Sequence, residues 1–336
     1  MKEIINKDIV YPIKFTPILK EKIWGGNKLV HLFNKKSTKD KIGESWEVSG
    51  LESNVSVVEN GVLKGTGLKS LIKKYKHKIV GKQVYDNFGA EFPLLFKFID
   101  ASENLSIQLH PNDNLAKERH NSFGKTEMWY VLDAEENAKL YVGFKKGVNK
   151  SFYLEAIKNN NVLDLINKEN IKKGDSFFIE SGTIHAIGKG SLIAEIQQTS
   201  DITYRVFDWN RVDLEGNERE LHTSLAIDAL DFSKDNTCNL KYLNTINSTE
   251  NILSCKYFKT NKLNVKGVFL RSLKEIDSFV VYMCVEGEGE ISLEGNKESI
   301  KKGETILIPA KAMDLEVVSN NLLSLLEVYI PKNNEV

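Results

Sequence analysis

Residues 172–179 read KKGDSFFI, and residues 301–308 read KKGETILI. Upstream of each lies a weaker matching segment, WYVLDAEENAKL beginning at Trp129 and YMCVEGEGEISL beginning at Tyr282. The matching segments lie further apart in the first copy, and the excess is about the length of residues 151–167, whose apolar spacing is helical. We interpret that stretch as an insertion. The sequence therefore predicts two copies of one β unit.

Short β-rich runs bounded by Gly, Asn and Asp dominate the chain. The clearest are residues 127–132, 138–143, 176–179, 192–197 and 279–285. Helical spacing of apolar residues is confined to residues 68–75, 151–159 and 161–167. This arrangement favours a sandwich or barrel over alternating β-α-β units. We therefore expect a mainly β fold of two β-barrel domains with a few peripheral helices.

The two copies also suggest where the chain divides. The first copy ends near residue 200, and the polar, Asn-rich stretch 231–260 separates it from the second. We predict one domain over residues 1–230 and another over residues 231–336.

Composition narrows the classes of partner. The 336 residues include 46 Lys plus Arg and 46 Asp plus Glu, so the formal net charge is zero. A chain without a basic surplus is not typical of proteins that bind nucleic acid or anionic membranes. The beginning of the chain has no signal-peptide pattern, and no stretch approaches the roughly 18 consecutive apolar residues of a membrane span. The three cysteines lack CxxC spacing, which fits thiols in a reducing cytoplasm. We expect a cytoplasmic protein that acts on a small polar ligand.

The first copy carries a set of residues with the chemistry of metal ligands. In the run LSIQLHP, alternation puts Gln108 and His110 on one face of a strand. Glu127 opens the next strong strand, and His185 follows a turn at the end of another. Two imidazoles, a carboxylate and an amide oxygen on one interior face suit Zn²⁺ or another divalent first-row ion, with a position left for water or substrate. The second copy has Val280 at the offset of Glu127, so we expect only the first copy to bind metal.

The same residues resemble known motifs. The spacing between Gly174 and His185 resembles the second signature motif of the cupin superfamily, with Glu180 where a proline is usual. Several longer segments, taken together, are similar to the type I mannose-6-phosphate isomerases, also called phosphomannose isomerases. These segments are YPIKFTPILKEKIWGG (11–26), GESWEVSG (43–50), LSIQLHPND (105–113), GKTEMWYVL (124–132), ESGTIHAIG (180–188) and EIQQTSDITYRVFDWNR (195–211).

The resemblance implies a fold and an activity. The fold would be two cupin (jelly-roll) barrels, the first holding the metal and the second degenerate. The activity would be interconversion of mannose 6-phosphate and fructose 6-phosphate through an enediol, which links mannose use to glycolysis and nucleotide-sugar synthesis. The cofactor would be one Zn²⁺ per chain, with other divalent first-row metals open. The partner would be a sugar phosphate, and both monomer and homodimer remain open.

The resemblance also implies roles for individual residues. The metal ligands of the family fall on Gln108, His110, Glu127 and His185. The catalytic arginine of the family falls on Arg205. Lys125 resembles a position associated with the substrate or its phosphate; we take it as the second catalytic candidate, with a phosphate anchor as its alternative role. The substrate-binding candidates are Ser106, Lys97 and Glu195. The group that removes the proton stays open between a metal-bound water, Glu195, Lys125 and a histidine that the metal does not engage.

Two other readings use the same site. An iron-dependent oxygenase would need redox chemistry, whereas Lys125 and Ser106 beside this ligand set suit redox-inert Lewis-acid work on a phosphorylated substrate. A regulatory cupin that only binds a sugar phosphate would be favoured by loss of a ligand or of Arg205, and all of these residues are present. The chain also lacks a large helical insertion between the two metal motifs, which resembles the compact bacterial form of the family.

Overall fold

A computed structural model describes residues 9–212, 216–233 and 238–332. A first sheet of seven antiparallel strands runs through the middle of the molecule. In spatial order its strands are β1 (Ile18–Gly26), β2 (Ile42–Val48), β3 (Leu94–Ala101), β10 (Ser191–Gln198), β5 (Glu127–Ala134), β8 (Ser176–Ile179) and β12 (Asn239–Leu240).

A second sheet of five antiparallel strands packs against one face of the first. Its strands are, in spatial order, β11 (Tyr204–Phe207), β4 (Ile107–Leu109), β9 (His185–Ile187), β6 (Lys139–Phe144) and β7 (Ile166–Asn170). A third sheet, from the second half of the chain, packs against the other face of the first. It runs β13 (Ser248–Ser254), β14 (Lys259–Ser272), β19 (Asp314–Tyr329), β15 (Val280–Glu286) and β18 (Thr305–Ile308), and β16 (Glu288–Leu293) pairs with both β17 (Asn296–Lys301) and β19.

The first sheet is buried on both faces, and its sequence shows why. Along β10, Leu192 and Ala194 join the core shared with the third sheet, whereas Ile193 joins the core shared with the second sheet. Such strands are near-continuous apolar runs, because both faces need apolar side chains. Since successive side chains alternate, Glu195 and Gln197 share the face of Ile193 and point between the first two sheets.

The second sheet is oriented by the same alternation. Leu109 of β4 and Tyr204 of β11 lie in a separate core with residues of the helices that cover the outer face of this sheet. Those helices are α6 (Lys150–Lys158) and α7 (Thr223–Ala229). Gln108 and Arg205, one position away on each strand, therefore lie on the face toward the first sheet.

The remaining helices are short. They are α1 (Lys28–His31), α2 (Leu68–Tyr75), α3 (His77–Val80), α4 (Lys82–Phe88) and α5 (Asp113–His120). Turns of 3₁₀ helix cover Glu52–Asn54, Gly61–Leu63 and Val162–Leu165. The helices expected over 68–75 and 151–159 are confirmed within one residue at each end. The helix expected over 161–167 is wrong, because Ile166 instead pairs with Phe144 to begin β7.

The two copies of the β unit have the same register. Trp129 of β5 lies opposite Phe177, and Tyr282 of β15 lies opposite Ile306. Phe177 and Ile306 each lie three positions after the glycine of their own copy, Gly174 and Gly303. Both glycines have positive φ, 90° at Gly174 and 85° at Gly303, a conformation that favours glycine at the turn.

The mainly β prediction is confirmed, with one difference in detail. Hydrogen bonding in the first two sheets stops at edge strands, so the first half is an open pair of facing sheets rather than a closed barrel. The two halves also share a core, and Ile13 pairs with Leu307 across them. The division at residue 230 stays a prediction, and residues 1–8, 213–215, 234–237 and 333–336 of the two predicted domains lie outside the described residues. Over the described ranges, no helix is long and apolar enough to cross a membrane.

Candidate metal centre and active site

Three buried side chains meet between the first two sheets. Glu127 begins β5, His185 begins β9, and His110 directly follows β4. Their candidate ligand atoms all lie within 4.8 Å of one another, and each residue is about 1% exposed. Nε2 of His185 is 3.4 Å from Oε1 of Glu127, and Nε2 of His110 is 3.7 Å from Oε2 of Glu127. One carboxylate thus faces two imidazoles in a space closed to solvent.

Backbone carbonyls fix which nitrogen of each imidazole faces the cluster. Nδ1 of His110 lies 2.8 Å from the carbonyl oxygen of Ile202, and Nδ1 of His185 lies 2.9 Å from that of Thr183. A carbonyl oxygen only accepts, so each Nδ1 carries the hydrogen and each Nε2 presents a lone pair. Carbonyls commonly orient metal-binding histidines in this way.

The electrostatics keep both imidazoles neutral. Burial lowers the pKa of His110 well below its ordinary value, and burial lowers the pKa of His185 to about 4. Metal binding requires neutral imidazole. The pKa of Glu127 moves the other way, because burial raises it more than Lys125, whose Nζ lies 3.1 Å from Oε2, lowers it.

Three ligand atoms of this cluster have neither a hydrogen bond nor a cationic partner. Within the described residues, both Nε2 atoms and both oxygens of Glu127 are buried without a hydrogen bond of normal geometry, and of these four atoms only Oε2 of Glu127 has a cationic neighbour, Nζ of Lys125 at 3.1 Å. Buried polar atoms are rarely left in this state, because each one costs free energy. A divalent cation would satisfy all four at once, so the residues present fit a metal.

A row of side chains on the second sheet extends the cluster toward Arg205. Gln108 lies opposite His185 on one side and opposite Arg205 on the other, and residues opposite each other in a sheet project to the same face. The hydroxyl of Ser106 donates to Oε1 of Gln108 at 3.1 Å, which leaves that oxygen a second lone pair. Gln108 and Arg205 are half-buried, so this side of the site is its less enclosed side.

The first sheet contributes a second row, which is charged. Lys97 lies opposite Glu195, and Glu195 lies opposite Trp129. Nζ of Lys97 bonds Oε1 of Glu195 at 2.8 Å and Oε1 of Gln197 at 2.6 Å, and Nε1 of Trp129 donates to Oε2 of Glu195 at 3.0 Å. Gln197 lies in turn opposite Glu127. The row therefore continues into the metal cluster.

Opposite charges hold this row ionised despite its burial. Burial would raise the pKa of Glu195, but the ammonium groups of Lys97 and Lys125 lower it overall. Burial would likewise lower the pKa of Lys97, but Glu195 and Glu44 raise it. The carboxylate and the ammonium are thus each kept charged by the other.

One member of the charged row was not predicted. Glu44 accepts from Nε1 of Trp46 at 2.7 Å, lies 3.4 Å from Nζ of Lys22, and raises the pKa of Lys97. The signal was present in the segment GESWEVSG, where alternation puts Glu44 and Trp46 on one face. The carbonyls of Ile202 and Thr183 had no such signal, because any residue supplies a carbonyl.

The predicted site residues thus fall into three groups. His110, Glu127 and His185 form the cluster, and Lys125 contacts it. Gln108 and Arg205 follow on the second sheet, and Ser106, just before β4, contacts Gln108. Lys97 and Glu195 pair on the first sheet. Their roles in binding and chemistry stay predictions.

Two facing β-sheets with a buried His-Glu-His cluster between them have the arrangement of a cupin with a candidate metal site. Residues 13–141 match the family model of the type I phosphomannose isomerase catalytic domain, and residues 248–326 match that of the mannose-6-phosphate isomerase cupin domain. The chain belongs to the type I phosphomannose isomerase family.

Individual relatives cover nearly the whole chain. The mannose-6-phosphate isomerase ManA of Bacillus subtilis is 35% identical over 302 residues, which are 89% of this chain and 93% of the relative. The mannose-6-phosphate isomerase of Streptococcus mutans is 32% identical over 92% of this chain and 98% of its own length. A crystal structure of mannose 6-phosphate isomerase from Bacillus subtilis superposes with a TM-score of 0.86 at 32% identity, covering 95% of this chain and 100% of that one.

A more distant solved structure shares the fold. It is a mannose 6-phosphate isomerase bound with zinc and yttrium, with a TM-score of 0.76 and 16% identity, covering 96% of this chain and all of that one. The predictions of the family, of the cupin fold and of an isomerase are confirmed by these matches. The prediction of a metal site is confirmed in its coarse form, as a cluster of residues able to hold a metal ion.

Proposed function

We propose that this protein interconverts mannose 6-phosphate and fructose 6-phosphate by moving a proton between C2 and C1 through an enediol. The observation that carries the proposal is the buried cluster of His110, Glu127 and His185, whose two Nε2 atoms and Oε1 have no hydrogen-bond partner among the described residues. The names of relatives that align along almost the whole chain support the same activity.

We propose Zn²⁺ as the cofactor, held by His110, Glu127, His185 and Gln108. The donor set supports this choice, because two imidazoles, a carboxylate and an amide oxygen suit zinc and leave room for substrate. When bound, the cation supplies Lewis acidity to a sugar oxygen beside the reacting carbon. Gln108 is oriented for its part by the hydroxyl of Ser106.

The cationic side chains stabilise negative charge on the enediol oxygens. Arg205 stays protonated throughout and offers a planar array of donors, and its Nε is a buried donor without a partner among the described residues. Lys125 adds a second positive charge next to Glu127. Such fixed charges act strongly because they need no rearrangement during the reaction.

Glu195 is better suited to holding a sugar hydroxyl than to removing the carbon-bound proton. Both of its oxygens already accept hydrogen bonds, from Lys97 and from Trp129, and its lowered pKa makes it a weak base. We assign Lys97, Glu195 and Ser106 to substrate binding. We further propose that the enzyme acts in the cytoplasm on a free sugar phosphate, as a monomer or a homodimer.

The test is a coupled assay of fructose 6-phosphate formation from mannose 6-phosphate. Protein stripped with a chelator should be inactive, and Zn²⁺ should restore activity in a ratio of one ion per chain. Mn²⁺, Co²⁺ and Fe²⁺ are compared in parallel. His185→Ala should abolish metal binding and activity together, whereas His31→Ala, which alters an exposed histidine, should change neither. Folded, metal-loaded protein without isomerisation would refute the proposal.

A further inference from the structure

Three hydrogen bonds join Arg205 to one short segment, residues 219–222 (RELH). The main-chain N–H of Arg205 donates to Nδ1 of His222 at 3.1 Å, and the main-chain N–H of His222 donates to the carbonyl oxygen of Arg205 at 2.7 Å. Nη1 of Arg205 donates to the carbonyl oxygen of Glu220 at 2.8 Å. The segment therefore holds both the backbone and the guanidinium of this arginine.

The bonding pattern matches that of a neighbouring strand. β11 lies at the edge of the second sheet, so the outer N–H and C=O of Arg205 have no strand beside them. His222 takes that place, its imidazole nitrogen accepting as a carbonyl would and its own N–H donating. The register of β11 on β4 shifts directly after Arg205, so strand pairing alone fixes this residue weakly.

The segment is itself fixed at both ends. Nε and Nη2 of Arg219 bond the two carboxylate oxygens of Asp208 at 2.6 and 2.5 Å. At the other end, the carbonyl oxygen of His222 accepts from the N–H of Ala226 at 2.9 Å, in the first turn of α7, and Ala226 is fully buried. Residues 219–222 are thus anchored at one end by the ion pair with Asp208 and at the other end by α7. A segment anchored at both ends can hold Arg205 in place.

We propose that His222 is a positioning residue for Arg205, which it sets in the direction needed to meet charge on the substrate. This inference rests on the proposed function, in which Arg205 stabilises the enediol oxygens. Nε of Arg205 is buried and meets no acceptor within the described part of the chain. The guanidinium is held by the bond from Nη1 to the carbonyl of Glu220, and His222 acts on it through the main chain of Arg205.

The contact between Nδ1 of His222 and the main-chain N–H of Arg205 can be tested with substitutions that keep or remove the acceptor atom. The acceptor is Nδ1, and the amide oxygen of asparagine can occupy the position of that atom. The amide oxygen of glutamine instead reaches the position of Nε2. His222→Asn should therefore keep the contact, whereas His222→Ala and His222→Gln should lose it. Leu221→Ala alters an exposed neighbour in the same segment and is the matched control. Glu220 is left unchanged, because its carboxylate lies 3.9 Å from Nε2 of His222.

The first experiment measures kcat and KM on the zinc-loaded enzyme. We expect His222→Ala and His222→Gln to lower kcat by about 10- to 100-fold, the scale of a misplaced catalytic group, with KM within about threefold of wild type. His222→Asn and Leu221→Ala should each keep kcat within about threefold. Metal content and thermal unfolding check that each variant is folded, and if the alanine variant fails that check, the asparagine and glutamine variants carry the comparison.

The second experiment does not depend on turnover. The Nε–H signal of Arg205 in the ¹⁵N NMR spectrum, assigned with Arg205→Lys, should shift or broaden in His222→Ala and stay near wild type in His222→Asn. If wild-type enzyme with zinc shows no isomerisation, the proposed function fails, and this signal alone decides the positioning role. Unchanged kcat in a folded His222→Ala variant, equal losses in the asparagine and alanine variants, or an unchanged Nε–H signal in the alanine variant would each overturn the inference.

Discussion

Replacing Lys97 with methionine removes the cation of a buried ion pair while keeping most of its volume. Lys97 is 5% exposed and Glu195 is 3% exposed, and their charged atoms lie 2.8 Å apart. Without the ammonium, Glu195 keeps one described hydrogen-bond donor, Nε1 of Trp129. Removing one partner of a buried pair costs about 3–5 kcal/mol, because the other charge is left uncompensated. We expect Lys97→Met to lower the free energy of unfolding by that amount at pH 7.

The loss should depend on pH in a defined direction. In the wild type the folded pKa of Glu195 is lowered below the unfolded value of about 4.3, so its contribution to stability is present above that pH and is lost as pH falls through the folded pKa. In Lys97→Met, burial acts with less opposition and raises the folded pKa of Glu195. The variant then loses stability as pH rises from the unfolded to the raised folded pKa. The difference from wild type should be largest at pH 7 and smaller at pH 5.

Urea unfolding of chelator-stripped protein at pH 5 and pH 7 measures this difference without the contribution of bound metal. Lys39→Met is the matched control, because the pair of Lys39 with Glu21 is 61% and 50% exposed, and it should change stability by less than about 0.5 kcal/mol. Adding Glu195→Gln to Lys97→Met should recover part of the loss, since the unpaired charge is gone. A loss under about 1 kcal/mol at pH 7, or an equal loss at both pH values, would refute the reasoning.

Two further substitutions separate catalysis from stability. Arg205→Met should lower kcat by about 10²- to 10³-fold while zinc content, measured by metal analysis, stays at one per chain; a fall of less than tenfold would contradict its role. Arg271→Met should lower the free energy of unfolding by about 3 kcal/mol, because Arg271 pairs with the fully buried Glu327 at 2.9 Å in the third sheet. Its kcat should stay within about twofold, and a larger change in the coupled assay would mean that the third sheet affects the site.

Local patterns were enough to predict most of the strands and to bring the candidate metal ligands together. Gln108 and His110 alternate within one run, and Glu127 and His185 each begin a strand, so a period-two pattern brings their side chains to the right face. The repeat also predicted which positions differ, because Val280 lies opposite Ile308 as Glu127 lies opposite Ile179. The helix predicted over residues 161–167 was wrong because the same spacing of apolar residues also fits a 3₁₀ turn followed by an edge strand.

Contacts between distant segments could not be predicted. The carbonyls of Ile202 and Thr183 set the tautomers of the two histidines, and His222 bonds the backbone of Arg205 across 17 positions of chain. Each contact depends on the path that a loop takes across a sheet. The periodicity of the sequence carries no information about that path. Main-chain acceptors are also invisible in a pattern of side chains, because every residue has one.

Comparing equivalent strand positions in the two copies shows which features of the first half the second half also has. In the second half, Glu327 lies opposite Tyr282 and opposite Asn261, at the positions that match Glu195 opposite Trp129 and opposite Lys97. Like Glu195, Glu327 takes a hydrogen bond from the aromatic side chain beside it, Tyr282 at 2.7 Å.

Each of these glutamates also bonds a cation, Lys97 in the first half and Arg271 in the second. A buried, fully bonded glutamate is therefore part of the shared β unit and does not by itself indicate catalysis. In the described residues of the second half, the buried side-chain atoms without a hydrogen bond are the separate hydroxyls of Thr260 and Thr305, and no cluster of His, Cys, Asp or Glu meets there as His110, Glu127 and His185 do. Since a buried ligand atom without a partner costs stability, the cluster in the first copy is the strongest structural support for a metal site in that copy.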